Sequence, residues 1–275
     1  MARELMRAAG GHALLIAKIE RAEAIRALQE IIDASDAIMV ARGDLAVEVG
    51  DAAVPAMQKR MIRLARERNK LAITATQMME SMISSPLPTR AEVSDVANAV
   101  LDGTDAVMLS AETASGKYPV ETVEAMARVC LEAEKSNEVT LDREFLDRVF
   151  TRVDQSIAMG ALFTAYHLKV KAIAALTQSG STALWMSRLN CGVPIYALTP
   201  EVSTRYKLSL FRDVYPVMLQ YLGDNRETLL RLAEEKLVEA GVVKPGDLIV
   251  ITVGEPIGKQ GGTNTMKIVK VGEQR

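Results

Sequence analysis

The sequence predicts an α/β fold in two parts: half of a (β/α)8 TIM barrel, followed by a smaller open α/β domain. Two observations carry the prediction. In the first half of the chain, short apolar runs alternate with amphipathic helical patterns, which is typical of parallel strands covered by helices on both faces. After a charged stretch, the alternation resumes with smaller units. The length of 275 residues is enough for two domains of ordinary size.

Four strands are predicted in the first half, at residues 14–20, 37–41, 71–75 and 106–109. Four is half the number of strands that closes a barrel. A helical pattern follows each strand, and the patterns are marked by the spacing of Ile25, Leu28 and Ile32, by Pro55, by the capping-box spacing of Thr89 and Glu92, and by Pro119. An amphipathic helix is predicted ahead of the first strand, in residues 1–11.

The domain boundaries follow from this alternation. Residues 1–136 form the half barrel, residues 137–152 are charged and weakly patterned and read as a linker, and residues 153–275 form the second α/β domain. Within that domain the patterns predict helices at 154–168, 182–190 and 226–240, and strands at 172–176, 194–198, 214–219, 248–253 and 266–271.

Composition excludes several classes of function. The net charge of −2 and the aromatic content of 4% argue against a nucleic-acid or membrane partner. Cys130 and Cys191 are isolated, so neither a disulfide framework nor a zinc site is expected. The sequence contains neither an apolar run of membrane-spanning length nor a signal peptide, and a cytoplasmic location is the default expectation.

Polar motifs follow the predicted strands of the first half, where a barrel places its active site. Lys18 and Glu20 are two residues apart on a strand and therefore project to the same side. The lysine can neutralise a transferring phosphoryl group, and the glutamate can hold a divalent cation. A simple salt bridge between the two explains the same spacing.

Asp44 adds a second carboxylate after the next strand, which favours a Mg²⁺ or Mn²⁺ site. The backbone N–H groups around Gly43 and Asp44 suit a substrate carboxylate. Thr76 and Ser110 end the third and fourth strands, where a hydroxyl can bind a carboxylate, organise a proton-carrying water, or merely cap a turn. Together these groups describe a metal-assisted phosphoryl-transfer site.

Six segments of the first half resemble pyruvate kinase. They are KIERAEA at 18–24, MVARGDL at 39–45, TATQMMESM at 74–82, PTRAE at 88–92, DVANAVLDG at 95–103 and MLSAET at 108–113. The resemblance continues to GTNTM at 262–266 and so covers essentially the whole chain.

The resemblance implies a role for each residue in phosphoryl transfer from phosphoenolpyruvate to ADP, which gives pyruvate and ATP. Lys18 stabilises the moving phosphoryl group, and Glu20 and Asp44 ligate the divalent cation. The amides of Gly43 and Asp44, with Thr76, hold the substrate carboxylate, while Thr76 and Ser110 deliver a proton to the enolate. It also implies a homo-oligomer with a subunit contact at residues 85–97.

The chain departs from the family pattern in one large respect. Members of the family have an N-terminal half that carries four more barrel strands, a lid domain, further phosphate-binding residues and the ligands of a K⁺ ion. None of this is found in these 275 residues, so we expect a truncated chain with little or no activity alone. There are two alternatives. The chain could be a stand-alone module that binds a phosphorylated effector, or another Mg²⁺-dependent barrel enzyme that handles enolpyruvate.

The second domain has its own candidate site. Residues 177–182 follow a predicted strand and open a helix, an arrangement that cradles phosphate with N–H groups and hydroxyls. An ordinary capped loop is the alternative. In the resembling family this loop binds the phosphate of a sugar phosphate or nucleotide such as AMP, which implies a role for Thr177, Ser179, Gly180, Ser181 and Thr182. Many members have a basic residue in place of Ser181, so the identity of the effector stays open.

Overall fold

A computed structural model of the chain describes residues 1–136, 149–189, 191–223 and 225–273. The chain divides into two compact units, Met1–Asn137 and Glu138–Arg275. Most of the predicted linker, residues 137–148, lies outside the described residues, so the predicted domain boundaries stay a prediction. Each unit is described here by itself.

The first unit is built around one sheet. Its strands are β1 (Ile16–Ile19), β2 (Ala37–Ala41), β3 (Leu71–Ala75) and β4 (Ala106–Val107). They are all parallel and lie in the order of the sequence, as in a segment of a (β/α) barrel. Its helices are α1 (Ala2–Ala8), α2 (Ala22–Arg26), α3 (Leu28–Ala34), α4 (Arg42–Val49), α5 (Val54–Glu67), α6 (Arg90–Leu101), α7 (Ala111–Ala114) and α8 (Pro119–Ser136).

Apolar burial holds α3 and α5 against the sheet. A core cluster joins residues of β2 to residues of these helices, among them Ile38, Val40, Ile32, Met61 and Ile62. The capping box is present at the start of α6, where Glu92 N donates to Thr89 Oγ1 and Thr89 N donates to Glu92 Oε2.

Several details of the first unit differ from the sequence prediction. The helix expected from Ile25 to Ile32 is two helices, α2 and α3, separated at Ala27. The fourth strand ends at Val107 instead of residue 109. α4 was not predicted, because it starts directly after β2 without a linker or a capping side chain.

The second unit is an open α/β sheet. Its strands are β5 (Ala172–Leu176), β6 (Ile195–Thr199), β7 (Val214–Met218), β8 (Leu248–Gly254) and β9 (Thr263–Lys270), in the order β7-β6-β5-β8-β9. β9 is antiparallel to β8, and the other pairs are parallel. Its helices are α9 (Val153–Leu168), α10 (Ser181–Ser187), α11 (Val202–Leu208) and α12 (Arg226–Glu239). Of these, α11 was not predicted, and α10 ends earlier than expected.

Candidate functional site

The carboxyl ends of the four strands of the first unit meet at one edge of the sheet. The parallel register pairs Lys18 with Met39, Val40 with Thr74, and Thr74 with Val107. Segments that leave these strands therefore emerge side by side, as the active-site loops of a barrel do. This edge carries the predicted site residues Lys18, Glu20, Gly43, Asp44, Thr76 and Ser110.

Lys18 is the centre of a small charged cluster. Its Nζ forms an ion pair with Glu20 and lies 3.1 Å from Asp44 Oδ2. The side chains are 50%, 34% and 60% exposed for Lys18, Glu20 and Asp44, so all three groups reach solvent. The ion pair between Lys18 and Glu20, which the sequence offered as the simpler explanation of their spacing, is present, and Asp44, which follows β2, contacts the same nitrogen.

The cluster shifts the titration of its members. The hydrogen bonds of Lys18 to Glu20, and then to Asp44, raise the pKa of the ammonium. The hydrogen bond and charge of Lys18 lower the pKa of the Asp44 carboxyl. Both effects favour the charged forms at neutral pH.

Two carboxylates at this edge are suited to a hard divalent cation. Because Glu20 and Asp44 both contact Lys18 Nζ, their carboxylate oxygens are close together. Mg²⁺ is commonly held by one or two carboxylates together with substrate oxygens and water. Among the described residues there is no group of three or more His, Cys, Asp or Glu side chains that could hold a metal ion. The protein ligands at this edge would therefore be two carboxylates, those of Glu20 and Asp44.

Gly43 and Thr76 contact one another beside this cluster. Gly43 N donates to Thr76 Oγ1 over 2.9 Å, and the Thr76 hydroxyl donates to the carbonyl of Ala75 over 2.7 Å. A Cβ added at Gly43 would lie 3.7 Å from Thr76 Oγ1, which is ordinary contact. The packing of the protein therefore does not by itself require glycine here, and the small residue leaves space next to the hydroxyl.

The turn after β3 has an unusual backbone. Thr76 and Gln77 adopt φ values of +66° and +53°, a left-handed conformation that is rare for residues with a side chain, above all a β-branched one. Such conformations cost about 1–3 kcal/mol each and persist only where neighbours enforce them. The sequence has no glycine at either position and so did not predict this turn.

Arg42 is the neighbour that contacts this turn, and sequence analysis assigned it no role. Its side chain is buried, and its Nη2 donates to the carbonyl of Thr76 over 2.6 Å and to that of Gln77 over 3.2 Å. Nη1 pairs with Asp95 of α6. An arginine immediately after a buried strand is the sequence signal that could have identified it.

Ser110 follows β4 and is exposed. Its backbone N donates to Glu112 Oε2 over 2.7 Å, and the same buried carboxylate accepts from Met79 N over 3.3 Å. Glu112, which the sequence analysis did not single out, therefore ties the segment after β4 to the segment after β3. This leaves the Ser110 hydroxyl on a supported loop at the sheet edge.

The loop at 177–182 in the second unit bonds largely to itself and to α11. Gly180 N donates to Thr177 Oγ1 over 2.9 Å, and the Ser179 and Ser181 hydroxyls are 3.3 Å apart. The Thr182 hydroxyl is buried and lies 2.7 Å from Thr263 Oγ1, so it faces the interior and not the loop surface. Of the five predicted residues, Thr182 is thus placed to support the loop from inside.

A pocket opens beside this loop, at the carboxyl ends of β5, β6 and β8. Its wall is mostly apolar, with polar groups from Thr177, Gln178 and Lys259. The chain runs from β5 to one side of the sheet and later returns on the other side with β8. Open α/β sheets bind ligands at such a reversal of strand order.

Comparison with known proteins assigns both units to one family. A family model described as pyruvate kinase, barrel domain, matches residues 1–123, and a second, pyruvate kinase, alpha/beta domain, matches residues 155–269. The chain belongs to the pyruvate kinase family. Within it, the barrel-domain match contains every predicted residue of the first site, and the alpha/beta match contains the loop at 177–182.

Curated pyruvate kinases match nearly the whole chain. The pyruvate kinase of Buchnera aphidicola subsp. Schizaphis graminum is 51% identical over 98% of this chain and 57% of its own length. Pyruvate kinase II of Salmonella typhimurium is 51% identical with the same coverages, and the pyruvate kinase of Thermotoga maritima is 44% identical over 98% of this chain.

The chain spans little more than half the length of these pyruvate kinases. The matches confirm the resemblance to the pyruvate kinase family that the sequence motifs carried. In the part of the chain that the structure describes, no helix combines the length and apolarity needed to cross a bilayer.

Proposed function

We propose that the protein transfers a phosphoryl group from phosphoenolpyruvate to ADP, and that the first unit contributes one side of the site. One observation carries the proposal: a single ammonium, Lys18, lies between two carboxylates at the carboxyl edge of a parallel sheet. Membership of the pyruvate kinase family supports the choice of substrates.

Lys18 supplies positive charge to the phosphoryl group as it moves. A group that passes through a highly charged transition state is stabilised mainly by fixed charges aimed at its oxygens. A lysine is protonated at neutral pH, and the hydrogen bonds to Glu20 and Asp44 raise the pKa of Lys18 further. Glu20 and Asp44 hold its position until ligands enter.

Glu20 and Asp44 are the residues that would hold Mg²⁺ or Mn²⁺. When bound, such a cation neutralises and orients phosphate and enolate oxygens. The lowered pKa of Asp44 keeps its carboxylate ionised and able to ligate. A K⁺ requirement is proposed from family membership alone.

Gly43, Asp44 and Thr76 receive the substrate carboxylate. Support comes from the Gly43 N–H and the Thr76 hydroxyl, which contact one another at this edge. Thr76 and Ser110 are the hydroxyls proposed to pass a proton to the enolate, since both follow neighbouring strands at this edge. Glu112 holds the Ser110 loop in place.

The first test is Mn²⁺ binding by the purified full chain, measured from the electron paramagnetic resonance signal of the Mn²⁺ that stays free. Glu20→Gln and Asp44→Asn should each weaken Mn²⁺ binding at least about tenfold, because each removes one charged ligand. Glu30→Gln, an exposed substitution on α3, is the matched control and should bind as the wild type does. Equal Mn²⁺ affinity in all four proteins would contradict the assignment.

The second test is turnover, measured as pyruvate formed from phosphoenolpyruvate and ADP. The turnover of this chain alone is expected to be low; the same two variants should lose whatever residual turnover the wild type shows, while Glu30→Gln retains it. Mn²⁺ binding without any affinity for phosphoenolpyruvate would show a metal site of another function.

We also propose that the second unit binds a phosphorylated effector, a sugar phosphate or a nucleotide such as AMP. The proposal is supported by the hydroxyls of Thr177, Ser179 and Ser181, by the backbone at Gly180, and by Lys259 in the wall of the adjoining pocket. Thr182 contributes by fixing the loop from below.

A homo-oligomer is the assembly we propose. In residues 85–97, which the family resemblance assigns to a subunit contact, Leu87 is 70% exposed and Val93 is 36% exposed. Exposed aliphatic side chains of this kind are suited to burial at an interface. Analytical ultracentrifugation decides the point: a monomer at every concentration would contradict it, and Leu87→Asp should weaken association.

A further inference from the structure

We propose that Arg42 is a positioning residue, whose guanidinium holds the left-handed turn of Thr76 and Gln77 so that the Thr76 hydroxyl stays beside Gly43. The consequence for substrate rests on the proposed function. The structural part of the proposal rests on hydrogen bonds alone.

Arg42 satisfies the turn from inside. Its side chain is only 7% exposed, and its Nε and Nη2 lie 3.3 Å and 2.6 Å from the carbonyl oxygen of Thr76. Nη2 also reaches the carbonyl of Gln77 at 3.2 Å and Met78 Sδ at 2.8 Å. One planar group therefore binds the backbone of the turn at consecutive residues.

The left-handed backbone explains why such a group is needed. Residues at positive φ turn their carbonyls away from the strand ladder, and buried carbonyls without donors are costly. A guanidinium presents five donors in a fixed plane, whereas an ammonium is a single point of charge. The side chain that fits several carbonyls at once is arginine.

Thr76 is thereby held on two sides by neighbouring residues of one helix. Arg42 binds its backbone carbonyl, and the N–H of Gly43 binds its hydroxyl. Both belong to the first turn of α4, and Asp95 of α6 anchors the guanidinium from the far side. Loss of Arg42 should free the turn without removing any group that the proposed function assigns to substrate.

The experiment compares Arg42→Met and Arg42→Lys with two control variants of the full chain. Met61→Ala removes a buried side chain of the same unit, away from the turn, and serves as the destabilised control. Arg68→Met removes a different arginine ion pair, with Asp33. Amide hydrogen exchange of Gly43, whose N–H donates to Thr76 Oγ1, reports the turn by NMR, and the Kd of phosphoenolpyruvate with Mn²⁺ reports the site.

Arg42→Met should speed exchange at the Gly43 amide about tenfold or more, because the hydrogen bonds that held the turn are lost. It should also raise the Kd of phosphoenolpyruvate about tenfold. Arg42→Lys keeps the positive charge beside Asp95 but lacks the planar set of guanidinium donors. Amide exchange at the turn should therefore be faster in Arg42→Lys than in the wild type. Met61→Ala should lower the melting temperature and leave exchange of the turn and Kd unchanged.

Wild-type exchange in Arg42→Met would overturn the proposal, and so would full protection in Arg42→Lys or an equal effect in Met61→Ala. The two proposals fail in different ways. A wild-type chain that does not bind phosphoenolpyruvate contradicts the proposed function, whereas the exchange data still decide the role of Arg42.

Discussion

The carboxyl-terminal edges of the two parallel sheets differ in how their polar groups are held. In the first unit, Lys18, Glu20 and Asp44 are charged, partly exposed and paired mainly with one another. In the second unit the loop at 177–182 is uncharged, and its side-chain hydrogen bonds run within the loop, to Thr204 and Lys207 of α11, and from Thr182 to Thr263. A charged, solvent-facing cluster can rearrange around a metal and a reacting anion, whereas a self-bonded neutral loop is suited to reversible binding.

The largest effect is expected from Lys18→Met. If the first edge performs chemistry, loss of this ammonium should reduce the residual turnover of the chain, which is expected to be low, by about 10²–10³-fold, the range seen when one preorganised stabilising group is removed. The unfolding midpoint should not change, since exposed ion pairs contribute little to stability. Lys59→Met, which removes an exposed lysine paired with Asp102, is the control and should keep full turnover.

Loss of a polar group from the loop of the second unit should reduce the stability of that unit, whereas loss of Lys18 from the first unit should reduce turnover. Thr182→Val leaves the buried Thr263 hydroxyl without its partner and should destabilise this unit by about 1–3 kcal/mol in urea unfolding. The exposed substitution Thr151→Val is the control. An additive loss in the double variant Thr182→Val/Thr263→Val would show that the two hydroxyls are not coupled.

A smaller effect is expected at the surface of the same loop. AMP or a sugar phosphate should raise the melting temperature of the wild type, and Thr177→Ala and Ser179→Ala should each weaken that binding about 2–10-fold, the value of one neutral hydrogen bond. Adenosine and ribose, which lack the phosphate, are the matched ligands. If no phosphate ligand changes the melting temperature, the proposal that the second unit binds a phosphorylated effector is contradicted.

The smallest effect is a change in titration. The pKa of Asp44 is lowered by Lys18, so its carboxylate stays ionised as pH falls past the ordinary value and is protonated only below it. Lys18→Met should raise this pKa back toward the ordinary value, and Mn²⁺ binding should then be lost at a higher pH.

Carboxyl ¹³C NMR measures the shift directly. Asp36 is the internal control, because its pKa is lowered in spite of burial by the Leu15 amide and by Arg3, not by Lys18. An unchanged Asp44 titration in the variant would mean that the ion pair is not populated in solution.

The sequence predictions were accurate for elements that are marked by a local sequence pattern and failed for elements that are not. β2, β3 and β5 were predicted to the residue, because each is a nearly continuous apolar run that is followed by a polar residue. α4 was missed, because its first residue, Arg42, follows β2 directly and no capping side chain marks the start. The break between α2 and α3 likewise has no glycine or proline to announce it.

Within the candidate site, too, the sequence predicted some features and missed others. Alternation along the predicted strand at 14–20 was enough to bring Lys18 and Glu20 together, although β1 ends at Ile19 and Glu20 directly follows it. The position of Asp44 after the next strand was enough to bring it near. The left-handed turn at Thr76 and the guanidinium that supports it could not be predicted, since Arg42 meets Thr76 34 residues later in the chain and Asp95 53 residues later.

By itself, the sequence determined the α/β class, the strands and the polar residues that end them, because apolar periodicity and residue chemistry are local properties. Only the tertiary structure decided which polar groups contact one another. It directed the Thr182 hydroxyl inward to Thr263, and it aimed a buried arginine at the backbone of the Thr76 turn. The physical reason is that hydrogen-bond partners are chosen by distance in space, and packing brings together residues whose separation along the chain carries no pattern.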